Sequence, residues 1–200
     1  FLDTSAFAPS YEYNDDFIYI GRLENGKGLE TLIRGFARFQ LYNRDVNLKI
    51  VGDGTLRSDL GQLVESMQIH NIEFTGFLRN EELESVIRQA KAVIIPSELY
   101  ENYPYSCLEA MAYGKPVIAS RIGGIIEQVD EDETGFLFEP ANDKDLADKM
   151  MLLYNLTSQR IIEMGQKARR KVEKVNHPAL YSQSLLNLYN DVIRHSNNFN

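Results

Sequence analysis

Residues 92–120 read AVIIPSELYENYPYSCLEAMAYGKPVIAS. The apolar run Ala92–Ile95 is short and stops at Pro96, as a buried strand does. A polar loop follows. Pro104 then predicts the first position of a helix that carries Glu109 and runs to Gly114. Val117–Ala119 is a second buried strand. Strand, helix and strand joined by short connections imply a parallel pairing. Two carboxylates therefore fall near the carboxyl end of a strand, where α/β folds hold their ligands. Glu101 stands at the loop mouth and Glu109 on the helix's second turn.

The alternation extends in both directions. Phe17–Ile20, Leu48–Val51, Ile72–Phe74 and Phe136–Phe138 read as further strands, each bounded by Gly, Pro, Asp or Asn. Helical periodicity covers 28–42, 56–69, 81–89, 104–113, 143–154 and 158–174. The expected fold is α/β: a Rossmann-like, doubly wound parallel sheet of about six strands with helices on both faces. Asn176-His177-Pro178 breaks the chain before a last amphipathic helix, about 179–194. Its apolar Tyr181, Leu185, Leu188, Tyr189 and Val192 predict that it packs on something, and residues 196–200 read as frayed. Three parts are expected: 1–16, the tail of an interdomain linker; 17–176, the sheet domain; and 177–200, the terminal helix.

Two hundred residues, 44% hydrophobic and 25% charged, can bury one good core. A net charge of −8 argues against nucleic acid or an anionic membrane surface as the main partner. A single cysteine, Cys107, excludes a disulfide framework and reads as a small core side chain. A reducing cytoplasm fits that usage. No apolar run reaches the length of a membrane span, and no signal peptide is visible. The three histidines are scattered, so no metal site is expected.

Four other segments could carry chemistry. Gly21–Gly28 (GRLENGKG) links the first strand to a helix; Gly21 allows close approach, and Arg22 and Lys27 would set two cations at the strand end. A pyrophosphate needs such groups, most of all as a leaving group. A plain turn with solvated charges explains the segment equally well. In VGDGTLR, Gly52 and Gly54 can lie beside a flat ring or a phosphate, although a turn closed by Asp53 suffices. Phe77 and Leu78 end the third strand, where backbone could meet a base edge; Asn80 reads as a helix N-cap followed by Glu81 and Glu82. Gly123-Gly124 reads as a tight turn. The runs 130–133 and 169–171 read as a solvated loop and a solvated helix face.

The carboxylates have a partner of their own. A vicinal diol donates two hydroxyls to two carboxylate oxygens, so Glu109 suits a ribose and Glu101 a second sugar. Residues 103–106, with Tyr103, Tyr105 and Ser106, would offer helix-start amides to a phosphate.

Taken together these blocks resemble the group 1 family of retaining glycosyltransferases, with the GT-B architecture. The matching order is Gly-Arg-Leu…Lys-Gly, Gly-Asp-Gly, Phe-Thr-Gly-Phe, Pro-Ser…Glu101…Glu109-Ala-Met-Ala, Gly-Gly and Glu-Thr-Gly-Phe-Leu-Phe, across roughly residues 17–146. The resemblance implies the C-terminal, donor-binding half of such an enzyme. It puts Arg22 and Lys27 at the diphosphate, Glu101 at the transferred sugar, Glu109 at the ribose and residues 103–106 at the phosphate. It implies a nucleotide-sugar substrate with no cofactor or metal, and transfer with retained configuration, with cell-surface polysaccharide or glycolipid assembly as the setting. The acceptor, a glycan or lipid-linked sugar, would sit on an N-terminal domain that this chain lacks, so the fragment alone should bind donor without transferring. The final helix resembles the segment that crosses back to that domain. A cytoplasmic place follows, with attachment of the full protein to the membrane face left open. Asn102-Tyr103-Pro104 departs from the family's Gly-Phe-Gly and makes that loop stiffer. A non-catalytic nucleotide-sugar module and a GT-B sugar-nucleotide epimerase are the alternatives.

Overall fold

The computed structural model describes residues 2–175 and 178–196. Six strands form one sheet: β1 (Phe17–Ile20), β2 (Leu48–Val51), β3 (Ile72–Gly76), β4 (Ala92–Ile95), β5 (Val117–Ser120) and β6 (Gly135–Phe138). All are parallel, in the order β3-β2-β1-β4-β5-β6. Parallel strands need crossovers, and helices supply them. These are α1 (Leu29–Gln40), α2 (Arg57–Ser66), α3 (Asn80–Gln89), α4 (Tyr105–Ala112) and α5 (Ile125–Gln128); α6 (Asp143–Tyr154) and α7 (Ser158–Val175) follow β6. The last helix is α8 (Pro178–Ser196). The chain is the expected doubly wound α/β domain.

Strand side chains alternate between two cores, which is why these strands read as nearly continuous apolar runs. Phe17 and Tyr19 enter one core with α1, α2 and α6; Ile18 enters the other with α4 and α5. In the first core the Phe17 and Phe39 rings meet edge to face, 5.4 Å between centroids. Such a pair adds about 1 kcal/mol beyond the area it buries.

The strand order reverses between β1 and β4, whose registers align Phe17 with Ala92 and Tyr19 with Ile94. The crevice outside the carboxyl ends of these two strands is the switch point, the usual ligand position in this class of sheet. The loops 21–28 and 96–104 both rise from it.

Several local expectations are corrected. Pro104 is the N-cap of α4, with ψ 126°, so the helix starts one residue later and Tyr103 lies outside it. Asn80 is not a cap: Arg79 holds that position, and Asn80 enters α3 with φ +47°, a region that asparagine tolerates better than most residues. The 169–171 run is not a uniformly solvated face. Arg169 is largely covered and donates to the carbonyl oxygens of Phe7 (2.7 Å), Ala112 (2.6 Å) and Thr4 (3.0 Å). Lys171 reaches Asp130 and the Glu127 carbonyl, while Arg170 is exposed as expected. The carboxylates of 130–133 are exposed but each is paired, with Lys171, Arg121 and Lys149, Arg160, and Lys167 respectively.

The stretch before β1 lies against the domain. Leu2 is buried in the second core, Ser10 donates its amide to Tyr113, and Asn14 donates its own to Gln89. On α8, Tyr181, Leu188, Tyr189 and Val192 are more than half exposed or nearly so; within this chain the apolar face of that helix stays largely uncovered. The break at Asn176-His177 and the terminal residues 197–200 lie outside the described residues. No helix among the described residues is long and apolar enough to cross a membrane.

Candidate functional site

The loop after β1 must turn sharply into α1, and glycine makes the turn. Gly28 is the N-cap of α1 at φ +69°, and a Cβ there would overlap the Pro96 carbonyl oxygen. Close packing of the two loops is thus built in at Gly28. The Gly26 carbonyl oxygen then accepts the amides of Glu98 (2.8 Å) and Leu99 (3.2 Å), and the Thr31 hydroxyl donates to the Glu98 carboxylate at 2.6 Å. The loops after β1 and β4 behave as one unit.

That unit sets the charges. The Lys27 ammonium donates to Glu101 Oε1 at 2.5 Å, and the hydroxyl of Ser97, itself almost fully buried, donates to the same oxygen at 3.0 Å. Seventy-four residues separate Lys27 from Glu101 in sequence. Beneath them Tyr19 reaches from β1 and donates its hydroxyl to the Arg22 carbonyl at 2.9 Å. Arg22 itself is exposed and forms no ion pair with any described residue.

A cavity of about 260 Å³ lies between these groups, at the small end for a ligand pocket. Its walls include Tyr19, Gly21, Arg22, Lys27, Ser97, Glu101, Pro104, Ser106 and Glu109. Three grooves are larger: one of about 580 Å³ between residues 10–14 and α3, one of about 530 Å³ at the foot of α1, and one of about 310 Å³ between residues 24–30 and α2. None of the three is lined by Arg22, Lys27, Glu101 or Glu109, so size does not select the site; the switch point and the convergent charges do.

The two glutamates have opposite electrostatics. Burial pushes the Glu101 carboxyl up, but hydrogen bonds from Lys27 and Ser97 and the charges of Lys27 and Arg22 together outweigh it, leaving it below its ordinary value. Burial alone pushes the Glu109 carboxyl above its ordinary value. Glu101 is already satisfied within the protein, whereas Glu109 carries a desolvation cost that a hydroxyl donor would relieve. The Tyr19 phenol is raised by burial, then by the Glu101 charge, and stays protonated as a donor.

Of the residues expected from sequence, the cavity brings together Gly21, Arg22, Lys27, Glu101, Ser106 and Glu109. It does not include Gly52, Gly54, Phe77, Leu78, Tyr103 or Tyr105. Gly52 and Gly54 have an internal explanation: Cβ atoms there would overlap the carbonyl oxygens of Gly21 and Leu23, so the Gly-Asp-Gly turn is pressed against the Arg22 loop. Asp53 closes that turn by accepting the Gly54 amide at 2.8 Å. Phe77 is two-thirds exposed at the end of β3 and lies under the Arg79 guanidinium, 4.9 Å from its centroid. At the start of α4, the Cys107 amide is taken by the Pro104 carbonyl. Cys107 is a buried core side chain whose thiol is pushed up to about 12 by burial, far from reactive.

Sequence reasoning missed Tyr19 and Ser97. Both had a signal. Tyr19 carries the one polar side-chain group of the strand Phe17–Ile20, and Ser97 is a small polar residue directly after a strand-ending proline.

The chain matches the family model for glycosyl transferases group 1 over residues 4–171. It is 34% identical over 145 residues to an uncharacterized glycosyltransferase of Methanocaldococcus jannaschii, covering 70% of this chain and 37% of that protein. Over 161 residues it is 34% identical to the sulfoquinovosyl transferase of Arabidopsis thaliana, covering 78% of this chain and 30% of that protein. Among solved structures, the C-terminal domain of a glycosyl transferase group 1 family protein from Francisella tularensis superposes with a TM-score of 0.78 at 25% identity, covering 88% of this chain and 99% of that one. The chain spans about a third of the length of these curated relatives.

Proposed function

The chain belongs to the group 1 glycosyl transferase family, and from that premise we propose that it is the donor-binding domain of a retaining glycosyltransferase, the C-terminal half of a GT-B enzyme. One observation carries this reading. Lys27 and Glu101 meet at the topological switch point, in one cavity with Arg22 and Glu109.

The donor is a nucleoside diphosphate sugar. Arg22 and Lys27 hold the diphosphate, and they matter most as the glycosidic bond breaks and the leaving group gains charge. Glu109 takes the ribose diol, whose hydroxyls relieve its desolvation. Glu101 takes hydroxyls of the transferred sugar. Ser106 adds a hydroxyl donor from the first turn of α4. The backbone around Phe77 and Leu78 lines the base, at the end of β3. The diphosphate oxygen accepts the proton of the acceptor hydroxyl, which attacks on the same face. No step requires a metal or other cofactor, because the two cations supply the charge.

Acceptor binding falls to an N-terminal domain, towards which α8 turns its uncovered apolar face. The acceptor class is a glycan or lipid-linked sugar, in cell-surface polysaccharide or glycolipid synthesis on the cytoplasmic side of the membrane. Residues 1–16 then lead in from that domain, 17–176 form the donor domain and 177–200 return.

Calorimetric titration of this chain with UDP, GDP and ADP, without metal, tests the reading and selects the base. We expect saturable binding of one of them, weakened tenfold or more in Lys27→Ala. Equal affinity in wild type and Lys27→Ala would refute the diphosphate assignment.

A further inference from the structure

The loop that carries Glu101 leaves Lys27 already engaged by an anion that belongs to the protein. Glu101 Oε1 lies 2.5 Å from the Lys27 ammonium, and both side chains are about three-quarters buried, at 28% and 22% exposure. Solvent therefore screens this pair less than an exposed one. The same oxygen accepts the Ser97 hydroxyl from a second direction, so two donors position it. An ammonium is a compact point charge with three donors and can be shared only within a narrow space. A phosphate entering the cavity meets Lys27 in the grip of a carboxylate.

We propose that Glu101 is an internal counter-ion that competes with the diphosphate for Lys27, and that this competition lets the site favour an intact nucleotide sugar over the spent nucleoside diphosphate. The inference rests on the reading of the site given above. A phosphate that takes Lys27 leaves the largely buried Glu101 carboxylate with a lost partner, which is costly. A donor that still carries its sugar compensates Glu101 with hydroxyl donors. A bare diphosphate does not. Once the sugar has moved to the acceptor, Glu101 reclaims Lys27 and helps expel the product. The carboxylate near the diphosphate is thus a device for release as well as for sugar recognition.

A double-mutant cycle tests this on the chain as it stands, with inorganic pyrophosphate and the best-bound nucleoside diphosphate as probes. Glu101→Gln keeps the shape and a hydrogen-bonding side chain but removes the competing charge. It should tighten pyrophosphate and nucleoside diphosphate by about tenfold, equivalent to ~1.4 kcal/mol. In the Lys27→Ala background the same substitution should change affinity less than twofold, because the contested cation is gone. Unchanged or weaker binding in Glu101→Gln would overturn the proposal. So would a tightening of equal size in the Lys27→Ala background, which would mean plain charge repulsion. If Lys27→Ala alone leaves affinity intact, the diphosphate reading itself fails, and that outcome is distinct from both.

Discussion

Gly124 donates its amide to the carbonyl oxygen of Glu101 at 2.8 Å. The helix start after β5 thereby holds the loop after β4. A Cβ on Gly124 would overlap the Asn102 carbonyl oxygen, and one on Gly123, at φ +56°, would crowd Glu101 itself. These glycines act on the site without lining it. Gly124→Ala should push residues 101–102 away and lower the melting temperature by about 2–6 °C, the shift that about 1–2 kcal/mol of overpacking gives in a chain this size. Transfer by the full-length enzyme should fall tenfold or more, since small displacements of a positioned group are costly. Gly61→Ala is the control. Its Cβ would meet only the flexible end of Arg57, within α2, so it should be neutral or stabilising. Equal effects of the two substitutions on transfer would sink the argument.

Glu109 opposes stability and binding in one side chain. Its folded carboxyl titrates above its unfolded value of 4.5 because of burial. Between those two values the folded chain binds the extra proton, so stability falls as pH rises through that window. Above both values the cost is fully present. Glu109→Gln should therefore raise the melting temperature at pH 7, by about 1–2 °C given its partial exposure, and the gain should vanish below pH 4. The same variant should lose affinity for a nucleoside diphosphate and keep its affinity for the 2′-deoxy analogue. Parallel losses for both nucleotides would place Glu109 elsewhere than at the ribose.

The sheet was legible because each strand is an apolar run cut by Gly, Pro, Asp or Asn, and burial on both faces demands such runs. Three strands, β1, β2 and β4, have the bounds read from sequence; β3 and β5 run further at their carboxyl ends and β6 starts one residue earlier, at Gly135, because main-chain pairing continues past the large apolar side chains. The cavity's charged residues were legible because Arg22, Lys27, Glu101 and Glu109 sit on loops and a helix that follow strands. The glycines were legible as turns but not in purpose. Gly52, Gly54 and Gly124 answer to backbone approaching from residues 21–23 and 101–102, and such pairings depend on the fold. Arg169 was misread for the same reason: its partners Thr4, Phe7 and Ala112 are distant in sequence, and a local charge run carries no sign of them.

Lys115, next to Gly114 in the motif after α4, is only 2% exposed. Its ammonium donates to the Glu12 carbonyl oxygen at 2.9 Å, tying the stretch before β1 to the turn before β5. Burial, and then the nearby Arg88, lower its pKa from 10.5 to about 8, against the opposing charge of Glu12. Between pH 8 and 10.5 the unfolded chain holds a proton that the folded chain has released. Stability from this group therefore rises with pH across that window, and below pH 8 the cost of burying the cation is fully present. Lys115→Met keeps the length of the side chain and removes the charge; Glu12 is exposed, so water can replace the lost donor. The variant should melt about 2–4 °C higher at pH 7, as a gain of about 1 kcal/mol would give, and the difference should shrink as pH approaches 10. Melting curves of the two proteins from pH 6 to 10 decide it. A constant offset across that range would show that the buried cation carries no titrating cost and that Lys115 acts through packing alone.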